Sequence, residues 1–453
     1  MLAFVRPALG IAVVAALVAS AGPAAAAGAP DVHSANMSHI GHSKFSGTTN
    51  SDMAFWGHYL IAGTYAGPRI LDISRPANPR EISRVRCNGG QGDVSVWRNL
   101  IFESVDSDQT KPTCDSSNEP LVGQPPGFEG IRIFDWSDPA HPRFVTAVHT
   151  DCGSHTHTIV PDPAHGLVYL YVQSYPLTGQ DGGCNVHTYD SVVKVPLADP
   201  KRASVSHFDT GPSQGCHDVQ VFMPLHVAAA ACLTEGQIWD IRDPAHPAVI
   251  QHLYNPAITI WHSAAFSWDG KVVAFGDENQ TYEACQGGDT PVGAIWFYSM
   301  QGTTASQQVG WYALPRAVSS DPDTECTAHN FNVVPVKGRN IMVSAFYSGG
   351  ADVIDFTDPT APREIAYYQI QGKVPADEWS TYWYDGHVYS NDINRGVDVF
   401  SVSSPLLAGA KTFPYLNPQT QTAAEHRAVL RSSEAVPPPP RADRGVGSGS
   451  PRP

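Results

Sequence analysis

Four histidines stand at one point of a repeating strand pattern: His155 in SHTHTIVP, His217 in CHDVQVF, His262 in WHSAAFSWDG and His329 in AHNFNVVP. Imidazole nitrogens and carboxylate oxygens are the ligands that iron, copper, manganese and zinc take at neutral pH. Ligands delivered from separate strands can converge and still leave a coordination position open, which a catalytic metal requires. The segment EWSTYWYDG aligns without a gap to HSAAFSWDG and sets Glu378 at a fifth equivalent position. His157 lies two residues after His155 and so shares its strand face. The expected site is a divalent or transition metal ion (Fe, Cu, Mn or Zn) on His155, His217, His262 and His329. His157 and Glu378 are expected as replacement ligand or general base. Acidic residues at the ends of the following strands, Glu103, Asp277, Glu278 and Asp392, are expected to orient the ligand histidines through hydrogen bonds. The competing reading makes the repeated histidine a scaffold residue that hydrogen-bonds inside its own unit. Against it, the histidine does not travel with the strongest repeat marker described next.

That marker is a short strand followed by an Asp-Pro turn: RILDISRPANP, IRIFDWSDPAHP, QIWDIRDPAHP and DVIDFTDPTAP. Weaker copies are VVKVPLADP, AIWFYSM and VDVFSVSSP. The first two strong copies have no histidine before them, and the unit containing His262 lacks the strong turn. Around each marker the sequence reads as four short strands, with Pro and Gly punctuating β-branched runs. Turn prolines recur roughly every 44–46 residues, the period of a four-stranded propeller blade. A four-strand meander cannot bury its own faces and must stack on its copies. Seven markers give an all-β, seven-bladed β-propeller over residues 36–405. The last unit lacks its outer strand and residues 36–45 belong to no unit, so the N-terminal strand is expected to complete the last blade and close the ring.

With strands lettered A to D from the axis outward, the start of A and the end of B lie on one face. The long insertions at residues 106–129, 174–190 and 279–292 are all B–C loops on that face, where function usually resides. The histidines therefore converge on the mouth of the central channel.

Residues 1–27 read as a Sec-type signal peptide: Arg6, an apolar run too short to span a bilayer, then small residues at a cleavage site. The mature protein is expected to be secreted, with no membrane span. Residues 432–453, rich in Pro, Gly, Ser and Arg, are expected to be disordered. The formal net charge of −15 argues against nucleic acid, which needs a basic face. Eight cysteines in an exported chain imply disulfides. Cys216 starts a strand whose antiparallel neighbour ends at Cys232, so those two should pair. Cys87–Cys114, Cys152–Cys184 and Cys285–Cys326 are the remaining expected pairs.

The segments ILDISRP, IFDWSDP, IWDIRDP and VIDFTDP resemble the LVIVD-repeat family of exported β-propellers. The resemblance covers residues 36–405 and implies the fold and a secreted or surface location. Two functional classes follow. One is a metal-dependent enzyme (oxidase or oxygenase, lyase or hydrolase) acting as a monomer on a small-molecule or extended substrate at the channel mouth. The other is a non-catalytic propeller that binds carbohydrate, peptide or a surface partner.

Overall fold

Seven antiparallel meanders stand in a ring, each with its first strand innermost. The computed structural model describes residues 30–117, 127–175, 187–213, 215–279, 281–288 and 290–431. The expected signal peptide and C-terminal tail lie outside them. The A strands are Asn50–Trp56, Val94–Trp97, Thr156–Asp162, Asp218–Phe222, Trp261–Phe266, Phe331–Val333 and Glu378–Tyr384. Their side chains are nearly all buried, because alternate residues pack against the blades on either side. The core is thus a series of layers between blades. Between blades four and five, for instance, Phe222, Ile238 and Ala231 pack on Trp261, Phe266 and Phe275.

The repeated Asp-Pro marker has a direct cause. The aspartate that ends strand C accepts the backbone N–H two residues on: Asp72 from Ser74, Asp135 from Ser137, Asp240 from Arg242 and Asp355 from Thr357. The Asp of Asp-Pro does the same in its own turn, as Asp138, Asp243 and Asp358 show. These side chains mimic a backbone turn and fix the C–D reversal.

Ring closure occurs as expected. Met37–Lys44 pairs antiparallel with Gly396–Val402 and supplies the outer strand of blade seven. A shorter N-terminal strand, Val32–His33, extends blade six by pairing with Arg363–Gln369.

The chain continues past residue 405 with a segment that carries little strand pattern. It turns under the ring and crosses the channel at the C-terminal ends of the A strands. Tyr415–Leu416 pairs antiparallel with Phe55 and Trp56 of blade one. Thr420–Gln421 pairs in parallel with Val221 and Phe222 of blade four, on the far side of the axis. Between them, the Asn417 side chain bonds both the N–H and the C=O of Val96 in blade two. The Thr420 hydroxyl donates to Ile159 O in blade three, and the Gln421 amide donates to Phe266 O in blade five. A helix, Ala423–Leu430, follows, with Thr422 and Glu425 forming a capping box. Its Ala428 and Val429 pack into the layer containing Phe413, Trp268 and Val333. The segment is a plug that closes the channel from the side opposite the histidines.

Cys87–Cys114, Cys216–Cys232 and Cys285–Cys326 are bonded as expected. Cys152 is also disulfide-bonded; Cys184, its expected partner, lies outside the described residues. These disulfides fit an oxidising compartment, and no helix among the described residues is long and apolar enough to cross a membrane. Cys216–Cys232 joins strands A and B of blade four beside His217 and closes a sequence separation of 16 residues. Replacing both by serine should lower unfolding stability by about 3 kcal/mol, measured as a lower denaturant midpoint that no longer responds to reductant at this bridge.

Candidate metal centre

The four histidines meet at the channel mouth. Consecutive ring centroids are 4.6 Å (His155–His217), 3.8 Å (His217–His262) and 4.3 Å (His262–His329) apart. All four side chains are buried. His155, His217 and His329 each precede the first residue of their A strand, where the chain turns over the mouth. His262 gets there by a bulge. Trp261 pairs with Asp277 and Ser263 with Gly276, so His262 is left over and projects toward the axis. Gly236 helps to hold this bulge: an added Cβ there would lie 2.4 Å from the Trp261 ring, so bare backbone lets the indole lie flat on the neighbouring strand.

Blade seven has the same bulge one residue further on. Glu378 pairs with Asp392 and Ser380 with Asn391, which leaves Trp379 as the bulged residue. The gapless alignment that set Glu378 beside His262 is therefore off by one, and the equivalent of His262 is Trp379. A slip of one residue reverses the face a side chain takes. Glu378 accordingly turns into its own blade, where the Ser390 hydroxyl donates to its Oε2. Burial, with Asp398 nearby, pushes its pKa up to about 8. Trp379 instead packs its ring 4.9 Å from His329.

His157 is likewise not at the mouth. Its ring is wedged against blade two, with Ser95 Oγ 2.7 Å from Nε2 and Ser104 Oγ 2.8 Å from Nδ1. Burial pulls its pKa down to about 3. Both nitrogens are occupied, so it is a packed scaffold residue and neither ligand nor base.

Of the four carboxylates expected to orient the histidines, Glu278 alone is at the cluster, and it stands among the histidines themselves. Its Oε2 is 3.6 Å from His262 Nε2 and its Oε1 is 3.6 Å from His329 Nε2. One ligand atom each from His217, His262 and Glu278 lie within 4.8 Å of one another. The Tyr347 hydroxyl donates to Glu278 Oε1 at 2.5 Å and fixes the carboxylate. Glu103 pairs with Arg132 inside blade two. Asp277 accepts the N–H groups of Thr259 and Ile260. Asp392 accepts those of Asp377, Asn394 and Arg395. A guanidinium thus takes up Glu103, and N–H groups of the adjoining loops take up Asp277 and Asp392.

Two other carboxylates take the orienting role. Asp106 Oδ2 is 2.8 Å from His155 Nδ1, so Nδ1 carries the proton and Nε2 presents a lone pair. That lone pair faces His217 Nε2 at 3.0 Å and the Tyr175 hydroxyl at 3.2 Å. Asp218 lies 3.6 Å from His217 Nδ1 and 3.9 Å from His262 Nδ1. Both had a signal in the chain: Asp106 ends the regular part of a B strand, as Glu278 does, and Asp218 follows His217 directly. His329 Nδ1 donates to Trp379 O, which turns its Nε2 toward Glu278.

His217, His262 and His329 are held neutral. Burial, reinforced by the other histidines, holds His217 and His262 well below the usual histidine range, and burial takes His329 to about 4. Both nitrogens of His262 and Nδ1 of His217 are buried without a hydrogen-bond partner. Buried polar atoms normally have one. Asp218 faces His217 and His262, and Glu278 faces His262 and His329. Neutral imidazoles do not offset buried negative charge, whereas a cation between them does. The residues present fit a transition-metal ion.

Deeper in the channel, Asp52 and Asp93 continue the acidic lining. Burial raises Asp52 to about 6 and carries Asp93 well above the usual carboxylate range, with Asp52 adding to it. Gln419 of the plug donates to Asp52 at 2.7 Å.

No family model matches the chain, and no curated protein matches it. Among solved structures it is similar to the Cps50 (Swd1) beta-propeller domain of Myceliophteria thermophila, with 8% identity and a TM-score of 0.50 over 83% of this chain and 100% of that one. It is also similar to a functionally unknown protein from Desulfotomaculum acetoxidans DSM 771, with 12% identity and a TM-score of 0.45 over 70% of this chain and 84% of that one. The first likeness supports the propeller fold and, at that identity, nothing beyond it.

Proposed function

We propose that this chain is a secreted β-propeller holding a transition-metal ion at the mouth of its channel, on His217, His262 and Glu278, with His155 and His329 alongside. The observation that carries the reading is His262: an imidazole with both nitrogens buried, neither hydrogen-bonded, facing two carboxylates and two more imidazoles. A bound ion would supply Lewis acidity toward water, oxygen or a carbonyl, so the reading is a metal-dependent oxidase, oxygenase, lyase or hydrolase.

The surrounding residues support substrate chemistry there. The plug closes the other end, so substrate reaches the centre from the histidine side. Tyr175, Tyr347 and Trp379 ring the centre and suit a small molecule or the tip of an extended one. His155 is the base in this scheme. Asp106 holds its Nδ1–H and stabilises the imidazolium that forms when Nε2 takes a proton.

Metal analysis of the purified protein tests the reading. The expected result is a stoichiometric transition metal that is lost in His217→Ala and in His262→Ala. Absence of metal from well-folded wild-type protein, supplied with each of the four ions during expression, would leave the propeller as a binding module.

A further inference from the structure

The strand that closes the ring carries a second set of ligands, independent of the axial centre. His39 and His42 are three residues apart, a spacing that sends side chains to opposite faces of a regular strand. Here the pairing runs His39↔Phe400 and then Gly41↔Val399, so Ile40 is an extra, bulged residue. With Ile40 out of register, His39 and His42 count as two apart and share a face. Asp398, directly opposite His42 and diagonal to His39, points to the same place. His39 Nε2 is 2.7 Å and His42 Nδ1 is 2.8 Å from one oxygen, Asp398 Oδ1. The His39 ring is held against Phe400, with centroids 5.3 Å apart. Asp398 is fully buried, while the two histidine side chains are 25% and 29% exposed. Ligands can therefore move outward and an ion can enter from solvent.

Arg395 also contacts this carboxylate, through Nε to Oδ2 and a terminal nitrogen to Oδ1, both at 3.1 Å. Three nitrogen groups thus converge on Oδ1, which has two lone pairs. One ion that takes both imidazole lone pairs answers that crowding with a single bond to Oδ1. Arg395 then keeps Oδ2 and fixes the carboxylate plane, as outer partners of metal ligands do.

The geometry points to a zinc-type divalent site on His39 Nε2, His42 Nδ1 and Asp398 Oδ1, with water completing the coordination. Two imidazoles and a carboxylate are a zinc donor set. Metal–ligand bonds of roughly 2.0–2.1 Å place donor atoms farther apart than the present hydrogen bonds; the exposed imidazoles supply that movement. The site would join the N-terminal strand to the last blade across sequence separations of 359 and 356 residues. It would lock ring closure, stabilising the native state by mass action.

The test uses chelator-stripped full-length protein carrying His217→Ala and His262→Ala, which silences the axial centre, titrated calorimetrically with Zn²⁺ alone. One Zn²⁺ per chain is expected, with a rise in the unfolding midpoint. Adding His42→Ala should weaken binding by at least about the 10–100-fold that loss of an outer partner costs and abolish the midpoint shift. If the silenced protein does not fold, the same titration of stripped wild type should lose one Zn²⁺ per chain when His39→Ala or His42→Ala is introduced. Zn²⁺ uptake that is absent, or unchanged by both substitutions, overturns the site and leaves the axial reading untouched.

Discussion

Metal removal should lower the unfolding midpoint of the protein and leave that of His262→Ala unmoved, in each case with His42→Ala present so that the closing strand cannot contribute. An ion that binds only the native state stabilises it by about 2.7 kcal/mol at a free concentration 100 times Kd, and by about 4.1 kcal/mol at 1,000 times. Chelator removes that increment. In His262→Ala the increment is already gone, so scans with and without chelator should coincide. The stripped variant should also stay close to the stripped parent. Neither nitrogen of His262 is hydrogen-bonded, so alanine breaks no hydrogen bond. Relief of a buried unpaired polar group, about 1–3 kcal/mol, opposes the cost of the small cavity. A scaffold histidine behaves differently, and this chain supplies the control. His157→Ala breaks bonds to Ser95 and Ser104 and should cost about 2–4 kcal/mol, with or without chelator. If His262→Ala behaves like His157→Ala, the metal reading fails.

The contrast between those two histidines also marks how far the sequence could be read. The blades were legible because each Asp-Pro turn has a local cause, an aspartate accepting an N–H two residues on, and local causes repeat visibly in sequence. Ring closure was legible by counting strands, because an unpaired edge must be covered. The convergence of His155, His217, His262 and His329 followed from their shared repeat position. Which carboxylate joined them did not. Bulges at His262 and Trp379 displace the register by one residue, and nothing in either segment's residue types announces a bulge. For that reason alone the alignment sets Glu378 at the position that Trp379 occupies. His157 failed for a different reason: sharing a strand face with His155 sends it toward blade two, and only His155 stands where the chain bends over the channel. The plug was illegible because its strands are two residues long. Their partners lie in blades one and four, more than 190 residues back in the chain, so no periodicity marks them.

That plug should matter more to stability than its length suggests. Deleting residues 414–453 is expected to open the channel and to lower stability by more than any single substitution at the histidine centre. Leu416, Ala428 and Val429 are buried by it, and full burial of a Leu or Val side chain contributes about 1.5–3 kcal/mol. The deletion also strips backbone partners from the A strands of blades one and four and takes Gln419 from Asp52. Asn417→Ala isolates the polar part. It leaves both backbone groups of Val96 without their side-chain partner, at about 1–3 kcal/mol for each group that water does not reach. The plug meets the C-terminal ends of the A strands and the histidines stand at their N-terminal ends. Asn417→Ala protein should therefore lose stability yet keep its metal stoichiometry, read by metal analysis on the folded fraction. Loss of metal together with stability would mean that the two ends of the channel are coupled through Asp52, Asp93 and Asp218, and that the axial centre extends down the channel to the plug.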